Sequence, residues 1–234
     1  MPPILTFAQL EEGVATSIAA ADEWKAKGDV GWEMNCVRSA LDDLLAIAVE
    51  YRDSAESGIA YMRDRQTEDL LARYEELNAK LLSSFREGTR VGAVDNDVTV
   101  THMWWLLGQH ARGDAQLAIA SDAEIAKFWP HTRFWTEYNR ALSGLVSRQA
   151  YIPQALKLKG YEKCWAPYLD LVAALTAGRD PAPELAACTA SFARRNLDKR
   201  LVDWKRHDGD GRVPVRWDFR APSILGRWRA GAVG

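Results

Sequence analysis

Apolar side chains recur every three or four residues along most of this chain, which is the spacing of one face of an α-helix. The first such series consists of Leu10, Val14, Ile18, Ala21 and Trp24. Thr6 and Gln9 precede it with the spacing of a capping box, and Gly28 follows it. The pattern predicts an amphipathic helix that begins near Thr6 and ends near Gly28.

Two more segments with this spacing follow before residue 88. The second begins at Gly31 and continues beyond Ile59. The third begins at Thr67, a residue type that caps helices, and ends at Gly88. Because only short polar breaks separate the three segments, we expect neighbouring antiparallel helices packed as a bundle.

Residues 88–100, with the sequence GTRVGAVDNDVTV, interrupt the helical pattern. They are rich in Gly, Asp and Asn and have no helical period, which is typical of a loop. We predict a single α-helical domain over residues 1–234, with residues 88–100 as the candidate subdomain boundary.

Helical spacing returns after residue 100. The expected helix starts are at Thr99 or Thr101, Ser121, Pro130, Pro153 and Asp180. Strand-like alternation is confined to residues 213–217. We therefore predict an all-α fold of about eight helices, arranged as an irregular multi-helix bundle or as stacked helical hairpins. An irregular C-terminal tail, with room for a short β-hairpin, follows them.

The sequence HDGDGRVPVRWDF, residues 207–219, belongs to this tail. DGDG resembles the start of a calcium loop, but the fifth and twelfth positions counted from Asp208 are Arg212 and Phe219, which supply no oxygen ligand. Two Asp-Gly pairs are typical of tight turns. We predict a structural clasp that packs the tail on the helices, formed by Asp208, Asp210, Arg216, Trp217, Asp218 and Arg220.

The composition is that of an ordinary globular protein. The chain has 234 residues, 47% hydrophobic and 26% charged, so it can bury a core without disulfide or metal staples. Its N-terminus lacks the features of a signal peptide, and no apolar run is long enough to span a bilayer. We expect a cytoplasmic protein whose cysteines, Cys36, Cys164 and Cys188, are buried thiols.

Charge is unevenly distributed along the chain. Residues 1–93 carry 17 acidic and 10 basic side chains, whereas residues 194–234 carry 5 acidic and 11 basic ones. The basic end also contains Trp204, Trp217 and Trp228, a combination that can bind nucleic acid. Aspartates are interspersed among its arginines, so we favour pairing of this end with the chain's own acidic helices over nucleic-acid binding.

The motifs of common enzyme classes are missing from the sequence. It contains no glycine-rich phosphate loop, dinucleotide fingerprint, nucleophile elbow, zinc-spaced cysteine pair or Glu-x-x-His pair. His102 and His110 would share a helix face, but about 12 Å of helix axis separates them, too far for one metal ion. We therefore predict no catalytic residue, no metal site and no cofactor, and we favour a protein that is not an enzyme.

The basic C-terminal block, residues 194–220, contains RRNLDKRLVDW and DGDGRVPVRWDFR. In this block, in size and in helical character, the chain resembles the all-helical immunity proteins with which bacteria neutralise polymorphic or contact-dependent toxins. The resemblance implies a protein that binds a cognate toxin. The acidic helical face that would complement a basic, nuclease-like toxin consists of Asp42, Asp43, Glu50, Asp53 and Glu56.

Ten tryptophans leave two other functions open. Those not needed for helix packing can anchor a protein partner, or they can line an aromatic pocket with Tyr and Arg, as in an enzyme or small-ligand binder. The sequence WWLLGQHARGDAQLA, residues 104–118, has the spacing of the first helix of a tetratricopeptide repeat. A helical-repeat scaffold or regulator is therefore a further alternative.

Overall fold

The computed structural model of this chain describes residues 6–50, 55–87, 98–127, 130–157, 166–184 and 186–188. Regular secondary structure within these residues is α-helical and includes no strand, which confirms the predicted all-α fold. The C-terminal tail, for which we predicted room for a short β-hairpin, lies outside the described residues.

Ten helices have defined bounds in the described part of the chain. They are α1 (Phe7–Lys27), α2 (Val30–Glu50), α3 (Ala55–Asp64), α4 (Thr67–Arg86), α5 (Val98–Leu106), α6 (His110–Ala118), α7 (Asp122–Ile125), α8 (Pro130–Ser143), α9 (Arg148–Leu156) and α10 (Ala166–Thr176). Residues 182–184 and 186–188 are also helical. The number of helices exceeds the predicted eight, partly because the second periodic segment contains both α2 and α3.

The first helix begins and ends at the residues that the sequence predicted. Thr6 Oγ1 accepts a hydrogen bond from the Gln9 backbone N–H at 3.2 Å. The Gln9 side chain accepts one from the Thr6 N–H at 2.9 Å, which completes the capping box. At the other end, Gly28 has a left-handed φ of 73°, which costs glycine little. Local sequence therefore determines both ends of α1.

Two helix boundaries differ from the prediction. The spacing of Met103, Trp104, Leu107 and His110 predicts one helix that ends near Gly113, but Gly108 has a φ of 81° and separates α5 from α6. Residues 104–118 thus do not form the single helix that a tetratricopeptide repeat requires. Pro153 was expected to open a helix, but it lies inside α9, whose N-cap is Ser147. The helix therefore begins at Arg148, five residues earlier than predicted, and the Ser147 side chain caps it by accepting from the Ala150 N–H.

The chain divides into two compact units. The first comprises Met1–Val94 and Met103–His110, and the second comprises Asp95–His102 and Ala111–Gly234. In the first unit, α2 packs against α1, α3 and α4. In the second, α9 packs against α8 and α10. Most of the candidate boundary at residues 88–100 lies outside the described residues.

The interior of the first unit is centred on α2. Its buried apolar side chains are Val37, Ala40, Leu41, Leu44, Leu45, Ala46, Ile47 and Ala48. A helix this apolar around most of its circumference must be covered on several sides, and α1, α3 and α4 provide that cover.

The second unit has an aromatic interior between α8 and α10. The rings of Trp135 and Tyr168 meet edge to face with centroids 4.8 Å apart, and those of Tyr138 and Tyr168 do so at 5.8 Å. Phe134 stacks on Tyr138 at 6.2 Å. These contacts hold one face of α8 in the core, which turns a charged face of the same helix outward.

Candidate functional site

The structure describes the side chains of three of the five predicted acidic positions. Asp42 and Asp43 of α2 are half-buried, and Glu56 in the first turn of α3 is exposed. Glu50 ends α2 but its side chain is outside the described residues, as is Asp53.

Asp43 lies in the contact between α1 and α2. A Cβ atom built on Gly13 of α1 would collide with Asp43 Oδ2, so the carboxylate rests against the α1 backbone at this point. Asp43 therefore takes part in the packing of α1 against α2, in addition to any contact that it makes with a partner.

A stacked tryptophan pair lies where α1 turns into α2. The rings of Trp24 and Trp32 have centroids 5.7 Å apart and an interplanar angle of 21°, and Lys27 Nζ lies 4.3 Å from the Trp24 centroid. Trp32 is 56% exposed, more than any other large apolar side chain among the described residues. We call Trp24, Lys27, Asp29 and Trp32 the Trp tip.

Asp29 fixes the backbone of the Trp tip. Its Oδ1 accepts hydrogen bonds from the backbone N–H groups of Gly31 and Trp32, each at 3.1 Å, and so caps the first turn of α2. Sequence reasoning placed Trp24 in the core stripe and did not single out Trp32. The signal was present, because Trp32 falls outside the apolar series of α2 that runs through Met34, Val37 and Leu41.

A charge network supports the helices beside the Trp tip. Arg73 of α4 donates from Nε to Glu33 Oε1 at 2.9 Å and from NH1 to Asp22 Oδ1 at 2.8 Å. Burial alone would lower the pKa of Arg73, but the hydrogen bonds and charges of Asp22 and Glu33 outweigh it and raise that pKa. Asp22 belongs to α1 and Glu33 to α2, so one guanidinium links three helices.

A cleft of about 290 Å³ opens in the second unit between α7, α8 and α9. It is lined by Asp122, Ile125, Arg133, Glu137, Arg140, Val146, Ser147, Ala150, Tyr151 and Gln154. The Tyr and Arg residues agree with the expected lining of a ligand pocket, but no Trp lines this cleft. Four of its ten side chains are charged, so its character is more polar than the predicted aromatic pocket.

Two ion pairs line the cleft. Arg133 Nε donates to Glu137 Oε1 at 2.8 Å, and Arg140 NH1 donates to Asp122 Oδ1 at 2.7 Å. Asp122 is 85% exposed, whereas the Arg140 side chain is only 14% exposed. The Nε atom of Arg140 is buried and has no hydrogen-bond partner among the described residues.

A pair of hydrogen-bonded polar side chains lies in the core of the second unit. His102 Nε2 and Asn139 Oδ1 lie 2.8 Å apart in the interior, and Asn139 Nδ2 donates to Trp135 O at 2.8 Å.

Cys188 is buried as predicted, and burial raises the pKa of its thiol to about 12. Such a thiol stays protonated at neutral pH and is a poor nucleophile. Cys36, by contrast, is only half-buried.

The predicted clasp residues, Asp208, Asp210, Arg216, Trp217, Asp218 and Arg220, lie outside the described residues, so the clasp stays a prediction.

The described residues contain no group of three or more His, Cys, Asp or Glu side chains placed to hold a metal ion. None of the helices in the described part is long and apolar enough to cross a membrane.

The fold and site define an all-α protein with an exposed aromatic tip in one unit and a charged cleft in the other. Comparison of the chain with models of known protein families, with curated proteins and with solved structures gave no match.

Proposed function

We propose that this chain is a non-enzymatic protein-binding module and that a basic protein partner docks on the Trp tip. The observation that carries the proposal is the stacked Trp24–Trp32 pair, in which Trp32 is 56% exposed. Tryptophan is among the side chains most enriched at the energetic centres of protein interfaces.

The charge of the N-terminal part supports a basic partner. The 17 acidic side chains of residues 1–93 outnumber the 10 basic ones, so this part of the chain attracts a positively charged surface. The exposed Trp32 ring adds a face on which an arginine of the partner can stack. A basic partner uses both features at once.

The Trp tip is rigid before a partner arrives. Gly28 ends α1 in a fixed turn, Asp29 caps α2, and Arg73 ties α1, α2 and α4 together beside the tryptophans. A preorganised surface loses little conformational entropy on binding, so more of its contact energy becomes affinity.

In its more specific form, the proposal is that the chain is an immunity protein acting in the bacterial cytoplasm, with a cognate toxin as its partner. The acidic excess of the N-terminal part and the resemblance described above support this role. The exposed Glu56 lies near the other end of α2 from the Trp tip, where it would add to the acidic field that attracts the basic, nuclease-like toxin.

Binding of the full chain to the protein encoded by the neighbouring gene tests the proposal. We expect calorimetry to detect a complex that Trp32→Ala weakens at least about tenfold. The matched control is Leu156→Ala, because Leu156 is 54% exposed but lies on α9. Glu56→Lys should slow association, since a charge outside the direct contact still steers the approach of a basic partner.

Different results would contradict the two parts of the proposal, which are docking on the Trp tip and a toxin as the partner. A complex that Trp32→Ala leaves unchanged would remove the Trp tip as the docking site. No complex between the two proteins would remove the toxin as the partner.

A further inference from the structure

We propose that the cleft between α7, α8 and α9 binds a small molecule carrying two anionic groups, either phosphates or carboxylates, through Arg133 and Arg140. This inference concerns the second unit and is independent of the Trp tip. The cleft volume of about 290 Å³ suits a small metabolite rather than a peptide or a nucleic acid.

The two arginines are spaced for a ligand with two anionic ends. Arg133 and Arg140 are seven residues apart on α8, which places them on the same face about 10 Å apart along the helix axis. Both line the cleft. Because each guanidinium lies at the end of a long, flexible side chain, both can turn toward one ligand in the cleft, and a ligand with two anionic groups can give one to each.

Within the described part of the chain, Arg133 and Arg140 each use one side-chain nitrogen for a hydrogen bond. A guanidinium group carries five N–H donors. Arg133 donates to Glu137 through Nε, and Arg140 donates to Asp122 through NH1. Phosphate and carboxylate oxygens are the acceptors that match a guanidinium fork.

Of the two arginines, Arg140 gives the stronger argument for a bound ligand. Its Nε atom is buried without a hydrogen-bond partner among the described residues. Leaving a buried donor unsatisfied is unfavourable, and such a group commonly marks the place of an ion, water or ligand. An anion that replaces Asp122 and accepts a hydrogen bond from Arg140 Nε would relieve that deficit.

The two carboxylates of the cleft have different roles. Asp122 is 85% exposed, so it can release Arg140 and return to water at small cost. Glu137 is 18% exposed and stays beside Arg133, where it orients the guanidinium. The entering ligand therefore displaces Asp122 and leaves Glu137 in place.

The rest of the lining suits the body of a small ligand. Ile125 and Tyr151 are buried and supply an apolar floor, and Ser147 and Gln154 add a hydroxyl and an amide. A short carbon or phosphoanhydride linker between the two anionic groups would lie on this floor. Ser147 and Gln154 can donate to ligand oxygens that the arginines do not reach.

Calorimetric titration of the full chain with pyrophosphate and with succinate, at constant ionic strength, tests the proposal and distinguishes the two sources of anionic groups. At least one of the two should bind saturably and more tightly than inorganic phosphate. We expect Arg133→Gln and Arg140→Gln each to weaken that binding about tenfold or more, since a charge-assisted hydrogen bond is lost. Arg179→Gln is the matched control, because it breaks an ion pair to Glu184 outside the cleft.

Asp122→Asn provides an independent test that does not remove an arginine. It eliminates the carboxylate that competes with the ligand for Arg140, so binding should become several-fold tighter. The proposal is overturned if neither probe binds saturably at millimolar concentration, if both arginine variants bind like the unaltered chain, or if Asp122→Asn binds no more tightly. Should an arginine variant fail to fold, Asp122→Asn and the remaining arginine variant still decide.

Discussion

Arg73 of α4 and Glu33 of α2 form an ion pair of 2.9 Å in which the Glu33 side chain is only 8% exposed. Removing the guanidinium would leave a buried carboxylate without its countercharge. We expect Arg73→Gln to lower the free energy of unfolding by about 2 kcal/mol, because uncompensated buried charge is costly. Urea-induced unfolding followed by circular dichroism measures this loss.

Lys80→Gln is the control for Arg73→Gln. Lys80 pairs with Glu76 on the same helix, but both side chains are mostly exposed. A much smaller loss of stability is expected there, since water already solvates both charges. Equal losses in the two variants would mean that the Arg73 network does not hold α1, α2 and α4 together.

Trp32 and Trp104 should differ sharply in their contribution to stability. Trp104 is fully buried, so Trp104→Ala should cost about 3 to 5 kcal/mol of unfolding free energy. Trp32→Ala should cost about 1 kcal/mol or less, because the ring is 56% exposed and loses mainly its stacking on Trp24. A large thermal destabilisation by Trp32→Ala would show that the Trp tip serves folding rather than binding.

Gly13 and Asp43 can be tested as a coupled pair. Alanine is a better helix former than glycine by about 0.5 to 1 kcal/mol, but the added Cβ would collide with the Asp43 carboxylate. Gly13→Ala should therefore stabilise the chain more in an Asp43→Ala background than in the unaltered chain. Additive effects in this double-mutant cycle would contradict the placement of Asp43 between α1 and α2.

Cys188 makes stability depend on pH in the alkaline range. In the unfolded chain the thiol ionises near its ordinary pKa of 9.0, whereas burial raises its pKa to about 12 in the fold. Between these values the unfolded state loses a proton that the folded state keeps, so stability falls as pH rises, by up to about 1.4 kcal/mol per pH unit.

Comparing Cys188→Ala with the unaltered chain isolates this effect. Urea unfolding at pH 8, 9 and 10, under reducing conditions, should show a weaker loss of stability with pH in the variant. Parallel curves for the unaltered chain and Cys188→Ala would contradict the shifted thiol pKa.

Features encoded by neighbouring residues could be predicted from the sequence. The capping box of Thr6 and Gln9, the glycine at the end of α1 and the proline that opens α8 depend only on residues a few positions apart. The helix break at Gly108 was missed because the apolar spacing of Trp104, Leu107 and His110 continues across it. The spacing of apolar residues does not reveal a single residue with a left-handed φ.

The cleft could not be predicted because it depends on tertiary contacts. Spacing places Arg133, Glu137 and Arg140 on one face of α8, but it does not show that α9 forms the opposite wall. Arg140 meets Asp122 across 18 positions of sequence, a pairing that no local rule supplies. The Trp tip is intermediate, since both tryptophans flank a recognisable turn but their stacking depends on how α1 packs on α2.

Trp24 and Trp32 are only eight residues apart, and the turn that joins them is closed by hydrogen bonds from Gly28 and to Asp29. Contacts this local form quickly and need little of the remaining chain. We therefore expect the Trp tip to form early during synthesis, once α1 to α4 have left the ribosome and α3 and α4 can cover α2. The surface proposed for partner recognition would then exist on the nascent polypeptide, before the second unit has been translated.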